Sequence, residues 1–136
     1  MDASTDVMKT IAAEYDAARR RVVAENGDLS ERILAAGAVL YYDPEDDWFL
    51  LSIGEPGEAV TLEIDDVLSL RLDPATWKVV GVEIPDVSAF TAQRPDVAKD
   101  ILTLVRLAAA RPGAYVSVAA LQMGQVAAEL RELLPV

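Results

Sequence analysis

The feature that most constrains the fold is a strand, a turn and a second strand between residues 60 and 84. Apolar side chains occupy every second position on both sides of the turn, which is the period of a half-buried strand. These positions are Leu68, Leu70 and Leu72 before the turn and Val80, Val82 and Ile84 after it. Asp73-Pro74 suits the first two positions of a tight turn. The segment therefore predicts an antiparallel hairpin.

Periodicity assigns most of the remaining chain. Strands are predicted at residues 38–42, 48–53 and 77–84, with one or two more within 60–72. Helices are predicted at 5–25, 28–37, 95–110 and 119–134, and 115–118 is either a short strand or a linker. Because the loops between successive strands are short, we expect an antiparallel meander.

These assignments predict a fold of the α+β class in a single domain spanning residues 1–136. Residues 1–37 form the N-terminal helices, residues 38–93 an antiparallel β-meander of four to five strands, and residues 94–136 the C-terminal helices. We expect both groups of helices to pack against the sheet.

The first predicted helix carries an apolar stripe with spacings of three and four residues. The stripe consists of Met8, Ile11, Tyr15, Ala18 and Val22. It either packs on its own domain or forms the seam of a coiled-coil-like dimer. Asn26-Gly27 predicts the end of this helix, because both residues tolerate the left-handed conformation, and Asp28 with Glu31 resembles a capping box that begins the next helix.

Composition removes several classes of chemistry. The chain has no cysteine and no histidine, so it offers no disulfide, no thiol nucleophile and no imidazole base or metal ligand. Catalysis would have to use carboxylate, Lys, Tyr, Ser or backbone groups, or a metal ion bound only by oxygen atoms. We therefore expect a protein that is not an enzyme, and we predict no cofactor.

The acidic charge is concentrated in the predicted sheet. Residues 38–93 hold 2 basic and 12 acidic side chains, whereas residues 94–136 hold 5 basic and 4 acidic ones. This charge repels nucleic acid and suits either a solubilising surface or a docking face for a basic partner. No apolar run reaches membrane-spanning length, and the acidic start at residues 1–6 is unlike a signal peptide, so a cytoplasmic location is expected.

Four segments of the predicted sheet resemble the DUF2283 family, over about residues 40–90. They are residues 42–47 (YDPEDD), 50–53 (LLSI), 64–68 (IDDVL) and 79–84 (VVGVEI). The resemblance implies a compact antiparallel sheet followed by a helix, and it implies no catalytic residues. Trp77 stands where members of that family tend to have glycine in a turn.

Two groups of carboxylates are candidates for a binding site. The better one is an acidic face made of Glu63, Asp65, Asp66 and Glu83. Asp65 and Asp66 converge only if a bulge intervenes, because adjacent strand residues point to opposite faces. The other group lies within residues 43–47, where Trp48 occupies the glycine position of a calcium loop, so we interpret it as a solvated turn and assign no metal ligand.

The remaining candidates are aromatic residues and a helical pair. Trp48 and Trp77 are either core anchors, which we favour, or an exposed patch. Residues 111–134 form either one helix or part of a helix-turn-helix.

We expect a non-enzymatic interaction or oligomerisation module, a homodimer or a protein bound to another protein. A small-molecule or divalent-metal binder, or a carboxylate-dependent enzyme, at the acidic face is the alternative. A helix-turn-helix-like regulator is third.

Overall fold

The structure, a computed structural model, describes the backbone of residues 3–119, 123 and 130 and the side chains of 14–96, 99, 101–119, 123 and 130. Its helices are α1 (Ala3–Glu25), α2 (Leu29–Ala36), α3 (Val87–Gln93) and α4 (Pro95–Ala109). Its strands are β1 (Ala38–Asp43), β2 (Trp48–Ile53), β3 (Val60–Asp65), β4 (Leu68–Leu72), β5 (Val79–Ile84) and β6 (Val116–Val118). The α+β class with a helix-flanked antiparallel sheet is confirmed.

The strand order corrects the predicted meander of four to five strands. Six strands form one antiparallel sheet in the order β3-β4-β5-β2-β1-β6. Only β3, β4 and β5 form a meander, because β2 pairs with β5 rather than with β3. Residues 54–59 carry the chain from β2 to the far edge of the sheet. Residues 115–118, predicted as a strand or a linker, supply β6 beside β1.

One face of the sheet forms the core. Alternate residues of each strand lie on this face, as the period of two requires. They include Ala38, Leu40, Phe49, Leu51, Leu68, Leu70, Leu72, Val82 and Ile84, all buried in one apolar cluster. Helix residues complete the cluster, among them Val22, Ile33, Phe90, Ile101 and Leu104. The core thus lies between this face and the helices.

Helix α3 was not predicted from the sequence. It has seven residues, two turns that are too short to establish a helical period. Its signal is Asp86, whose side chain accepts a hydrogen bond from the backbone N–H of Ala89 at the helix N-terminus. Val87 and Phe90 then enter the core.

The junction between α1 and α2 is built around one buried side chain, Asn26, which is 1% exposed. Its Nδ2 donates to the carbonyls of Val22 and Trp77, at 2.7 and 3.0 Å. Its Oδ1 accepts from the backbone N–H of Val79 and from Arg32 Nη2, both at 2.6 Å. The amide therefore has partners for its donors and its acceptor on three segments, α1, α2 and the residues that lead into β5.

The helices end and begin close to the predicted residues. The two predicted causes, a left-handed end to α1 and a capping box at the start of α2, are both wrong. Neither Asn26 nor Gly27 adopts a positive φ, so the left-handed conformation does not end α1. Asp28 makes no side-chain capping bond. Its carboxylate instead pairs with Arg32 and Lys78, at 3.2 and 3.0 Å. Hydrogen bonding to Lys78 and then to Arg32 holds the pKa of Asp28 below its usual value, despite the opposing effect of burial.

Asp47 fixes the β1–β2 turn to the start of α3. Its Oδ1 accepts from the Tyr42 hydroxyl at 2.6 Å, and its Oδ2 accepts from the backbone N–H and hydroxyl of Ser88. Burial raises the pKa of Asp47, but the bonds from Tyr42 and Ser88 outweigh it and leave that pKa below its usual value. The hydrogen bond to Asp47 raises the pKa of Tyr42 to about 12. One residue of the turn that we interpreted as solvated is therefore structural.

Asp47→Asn is expected to weaken the pH dependence of the free energy of unfolding at both acid and alkaline pH. A lowered carboxyl pKa adds stability above about pH 4 that is lost as the pH falls further. A raised phenol pKa adds stability that is lost between pH 10.0 and about 12. Denaturant unfolding across pH and phenolate absorbance measure the two effects, and Asp46→Asn in the same turn is the control. Equal acid sensitivity of both variants contradicts the assignment.

Candidate functional site: the open face of the sheet

Within the part of the chain that the structure describes, two carboxylates of the predicted acidic face form ion pairs and two do not. Glu83 on β5 forms an ion pair with Arg71 on β4 at 3.0 Å. Asp65, at the end of β3, pairs with Arg94 and accepts from the backbone N–H of Val67. Glu63 and Asp66 are exposed. Two of the four carboxylates thus have arginine partners.

These four carboxylates share a region without forming a metal site. Glu63 and Glu83 lie on either side of Ser69 in one cross-strand row, so they are on the same face. The register shifts between Glu63 and Asp65, and Asp65 lies opposite Leu68, a core residue. Burial raises the pKa of Asp65, but bonds from Val67 and Arg94 outweigh it and leave that pKa lowered. Among the described residues, no three His, Cys, Asp or Glu side chains are arranged to hold a metal ion.

The predicted oligomer seam is described only in part. Met8 and Ile11 lie outside the described side chains. Val22 is fully buried in the core of its own chain, and Ala18 is half-buried. The hydroxyl of Tyr15 donates to the backbone carbonyl of Glu63 on β3. The C-terminal part of the stripe therefore packs on its own domain, and the dimer stays a prediction.

The face opposite the core, which we call the open face, carries a row of three small or polar residues at its centre. Arg71, Gly81 and Ser52 are directly opposite one another on β4, β5 and β2. A Cβ on Gly81 would lie 2.9 Å from the carbonyl oxygen of Leu51 and 3.4 Å from Cδ of Arg71. Gly81 thus lets the stem of Arg71 lie against the sheet and leaves the middle of the row without a side chain.

A cavity of about 650 Å³, which we call the open-face cavity, lies over this row. Its floor includes Leu50, Ser52, Arg71 and Val80, and Tyr115 closes one side. The end of β2, the β2–β3 connection and the β4–β5 turn form its rim, through Ile53, Glu55, Pro56, Gly57, Glu58, Asp73 and Pro74. This volume is within the range of sites that hold small organic molecules.

The cavity floor presents hydrogen-bond donors beside apolar surface. Ser52 is 5% exposed, and its hydroxyl has no hydrogen-bond partner within the described part of the chain. Arg71 uses Nη1 to bind Glu83, and the same described residues supply no acceptor for its other N–H groups. Because this hydroxyl opens onto the cavity and no described residue binds it, it can hydrogen-bond a bound molecule or water.

An aromatic cluster borders the cavity. The centroid of the Tyr41 ring lies 5.8 Å from that of the Trp48 ring, in an edge-to-face arrangement, and 5.3 Å from that of the Tyr115 ring. Tyr115 is 62% exposed. We favoured core positions for both tryptophans. Trp77 does pack against the core cluster, but the prediction is wrong for Trp48, which lies against Tyr41 on the open face. The cluster extends the apolar surface available to a ligand.

The sequence interpretation missed this site because its residues meet only through the β2–β5 pairing. Arg71, Gly81 and Ser52 come from three segments whose neighbourhood depends on the strand order. The available signal was Gly81, since a glycine within a strand often marks close approach by another group.

Comparisons with known families, proteins and structures identify no relative that has this site. The chain matches no protein-family model, no curated protein and no solved structure. In the described residues, no helix is long and apolar enough to cross a membrane. Residues 120–122, 124–129 and 131–136 lie outside those described, and with them most of the predicted C-terminal helix and helix-turn-helix.

Proposed function

We propose that this protein is a non-enzymatic binding protein that holds a small organic molecule in the open-face cavity. The observation that carries the proposal is Ser52, a residue that is 5% exposed and whose hydroxyl has no partner among the described residues, on the floor of a cavity of about 650 Å³. A concave site that brings a few polar groups together beside apolar side chains, here Leu50 and Val80, suits a small molecule.

The chemistry of the lining supports binding over catalysis. The pair formed by Arg71 and Glu83, with N and O atoms 3.0 Å apart, orients a donor toward the cavity and also neutralises the carboxylate. Glu83 is held by Arg71 and is not among the described residues that line the cavity, so its carboxylate is not placed to act on a molecule bound there. Leu50 and Val80 offer contact area without reactive groups.

A screen of small molecules by protein-observed NMR tests this function. The set contains cationic, anionic and neutral fragments, and we expect the bound members to shift the backbone amides of Leu50, Ser52 and Val80. Ser52→Leu fills the cavity and is expected to abolish these shifts. Ser52→Ala is the matched control, because it keeps the space and should retain binding of apolar fragments.

The result is interpreted with thermal unfolding of both variants, which establishes that each is folded. Shifts confined to surfaces away from the cavity, or equal binding by folded Ser52→Leu and Ser52→Ala, contradict the proposal.

Self-association or binding to another protein stays a prediction and ranks second. Val22 and Tyr15, two of the five predicted seam residues, already have partners within the chain. The acidic face as a metal or catalytic site ranks third, because Asp65 and Glu83 are each paired with an arginine.

A further inference from the structure

The charges that border the open-face cavity are mostly negative. Three carboxylates line it, those of Glu55, Glu58 and Asp73. Arg71 is its one lining cation among the described residues, and Glu83 neutralises it at 3.0 Å. The potential at the rim therefore attracts a cation and opposes an anion.

Two of the rim carboxylates are free to bind. Glu55 and Glu58 are exposed, and neither has an ion pair or hydrogen bond with another residue in the described ranges. Asp73 differs, since its Oδ1 accepts from the backbone N–H groups of Ala75 and Thr76 within its own turn. A ligand cation would consequently lie near the β2–β3 connection.

The floor of the cavity carries hydrogen-bond donors, so a ligand must present an acceptor there. The hydroxyl of Ser52 and one unused N–H group of Arg71 supply two donors, which match the two lone pairs of one carbonyl oxygen, and both residues line the cavity. Both come from one cross-strand row and have only Gly81 between them. A ligand with a carbonyl oxygen at one end satisfies these donors.

We propose that the ligand is a small organic amine whose ammonium group binds Glu55 and Glu58 and whose carbonyl oxygen accepts hydrogen bonds from Arg71 and Ser52. Its apolar body packs against Leu50. This assignment rests on the proposed function and specifies the class of ligand for the same cavity.

Four related compounds separate the requirements. Leucinamide has the cation and the carbonyl, 3-methylbutylamine only the cation, 4-methylpentanamide only the carbonyl, and N-acetyl-leucine a negative charge. NMR titration is expected to give leucinamide at least about tenfold tighter binding than either compound that lacks one group. N-acetyl-leucine is expected to give no saturable shift at the Leu50, Ser52 and Val80 amides.

Charge variants test the position of the ammonium group. Glu55→Gln with Glu58→Gln is expected to weaken leucinamide about tenfold and to leave 4-methylpentanamide unchanged. Glu45→Gln with Asp46→Asn is the control, since it removes the same charge from exposed residues in the turn at the other end of the β1–β2 hairpin. The control is expected to change neither affinity by more than about twofold.

The outcomes also distinguish this inference from the proposed function. Tighter binding of N-acetyl-leucine or 4-methylpentanamide than of leucinamide in the cavity overturns the ligand class but leaves a small-molecule site. Equal losses in the two double variants overturn the placement of the cation. No binding by any of the four compounds overturns the ligand class, whereas the fragment screen decides the proposed function separately.

Discussion

Asn26→Ala is expected to lower the free energy of unfolding by about 3 kcal/mol or more. The substitution leaves the Val79 N–H and the Trp77 carbonyl without the partners that they have at 2.6 and 3.0 Å. It also removes the acceptor for Arg32 Nη2. An unsatisfied buried polar group costs roughly 1–3 kcal/mol, and water has little access to a residue that is 1% exposed.

Denaturant unfolding measures this loss, and hydrogen exchange assigns it to the junction. The amide of Val79 is expected to exchange faster relative to other β5 amides, because it is the one that donates to Asn26. Glu25→Ala is the matched control, one residue away and exposed, and is expected to stay within about 0.5 kcal/mol of the parent. A loss below about 1 kcal/mol for Asn26→Ala would mean that water replaces the amide.

The junction illustrates what the sequence could and could not provide. Asn26-Gly27 correctly predicts that α1 ends near Glu25. The reason lies in contacts with Val79 and Trp77, more than 50 residues further along the chain, as the separations of 53 and 51 show. Local pattern therefore predicts the boundary, whereas only the tertiary structure reveals why asparagine is used.

The same division holds for the sheet. The alternating apolar residues of 68–72 and 80–84 predict strands β4 and β5, because most of them face the core, namely Leu68, Leu70, Leu72, Val82 and Ile84. Val80 departs from the predicted alternation, since the register shifts there, Val79 enters the core and Val80 lines the open-face cavity. Alternation carries no information about which strands become neighbours. Residues 54–59 connect β2 to β3 without pairing them, and β5 takes the place beside β2. The predicted meander failed at that step.

The candidate site depends on this neighbourhood. Glu83 and Glu63 were predicted as one acidic face, and they do share a cross-strand row with Ser69. The sequence could not show that Arg71 pairs with Glu83, nor that Ser52 lies beyond Gly81. An acidic composition predicts the charge of the surface, while the cavity requires the strand order.

Trp77→Ala is expected to lower the free energy of unfolding by about 2 kcal/mol, and Trp77→Gly by about 1 kcal/mol less than that. Trp77 packs its half-buried ring against the core, with Arg21 4.5 Å from the ring centroid. Both variants lose these contacts equally. The residue has a φ of 64°, a left-handed conformation that costs a non-glycine residue roughly 1–2 kcal/mol. Glycine removes that cost and alanine keeps it.

The decisive measurement is which of the two variants has the higher free energy of unfolding. At an ordinary backbone position the glycine variant is normally the less stable one. Thr76→Ala and Thr76→Gly supply the matched pair, at an exposed neighbour in the same turn that has no positive φ. We expect alanine to be the more stable at position 76 and glycine at position 77, in denaturant unfolding of all four variants. The same order at both positions would show that the turn relaxes once the indole is gone. The opposite order at position 77 would show that the turn needs the left-handed conformation and that the indole ring adds the packing.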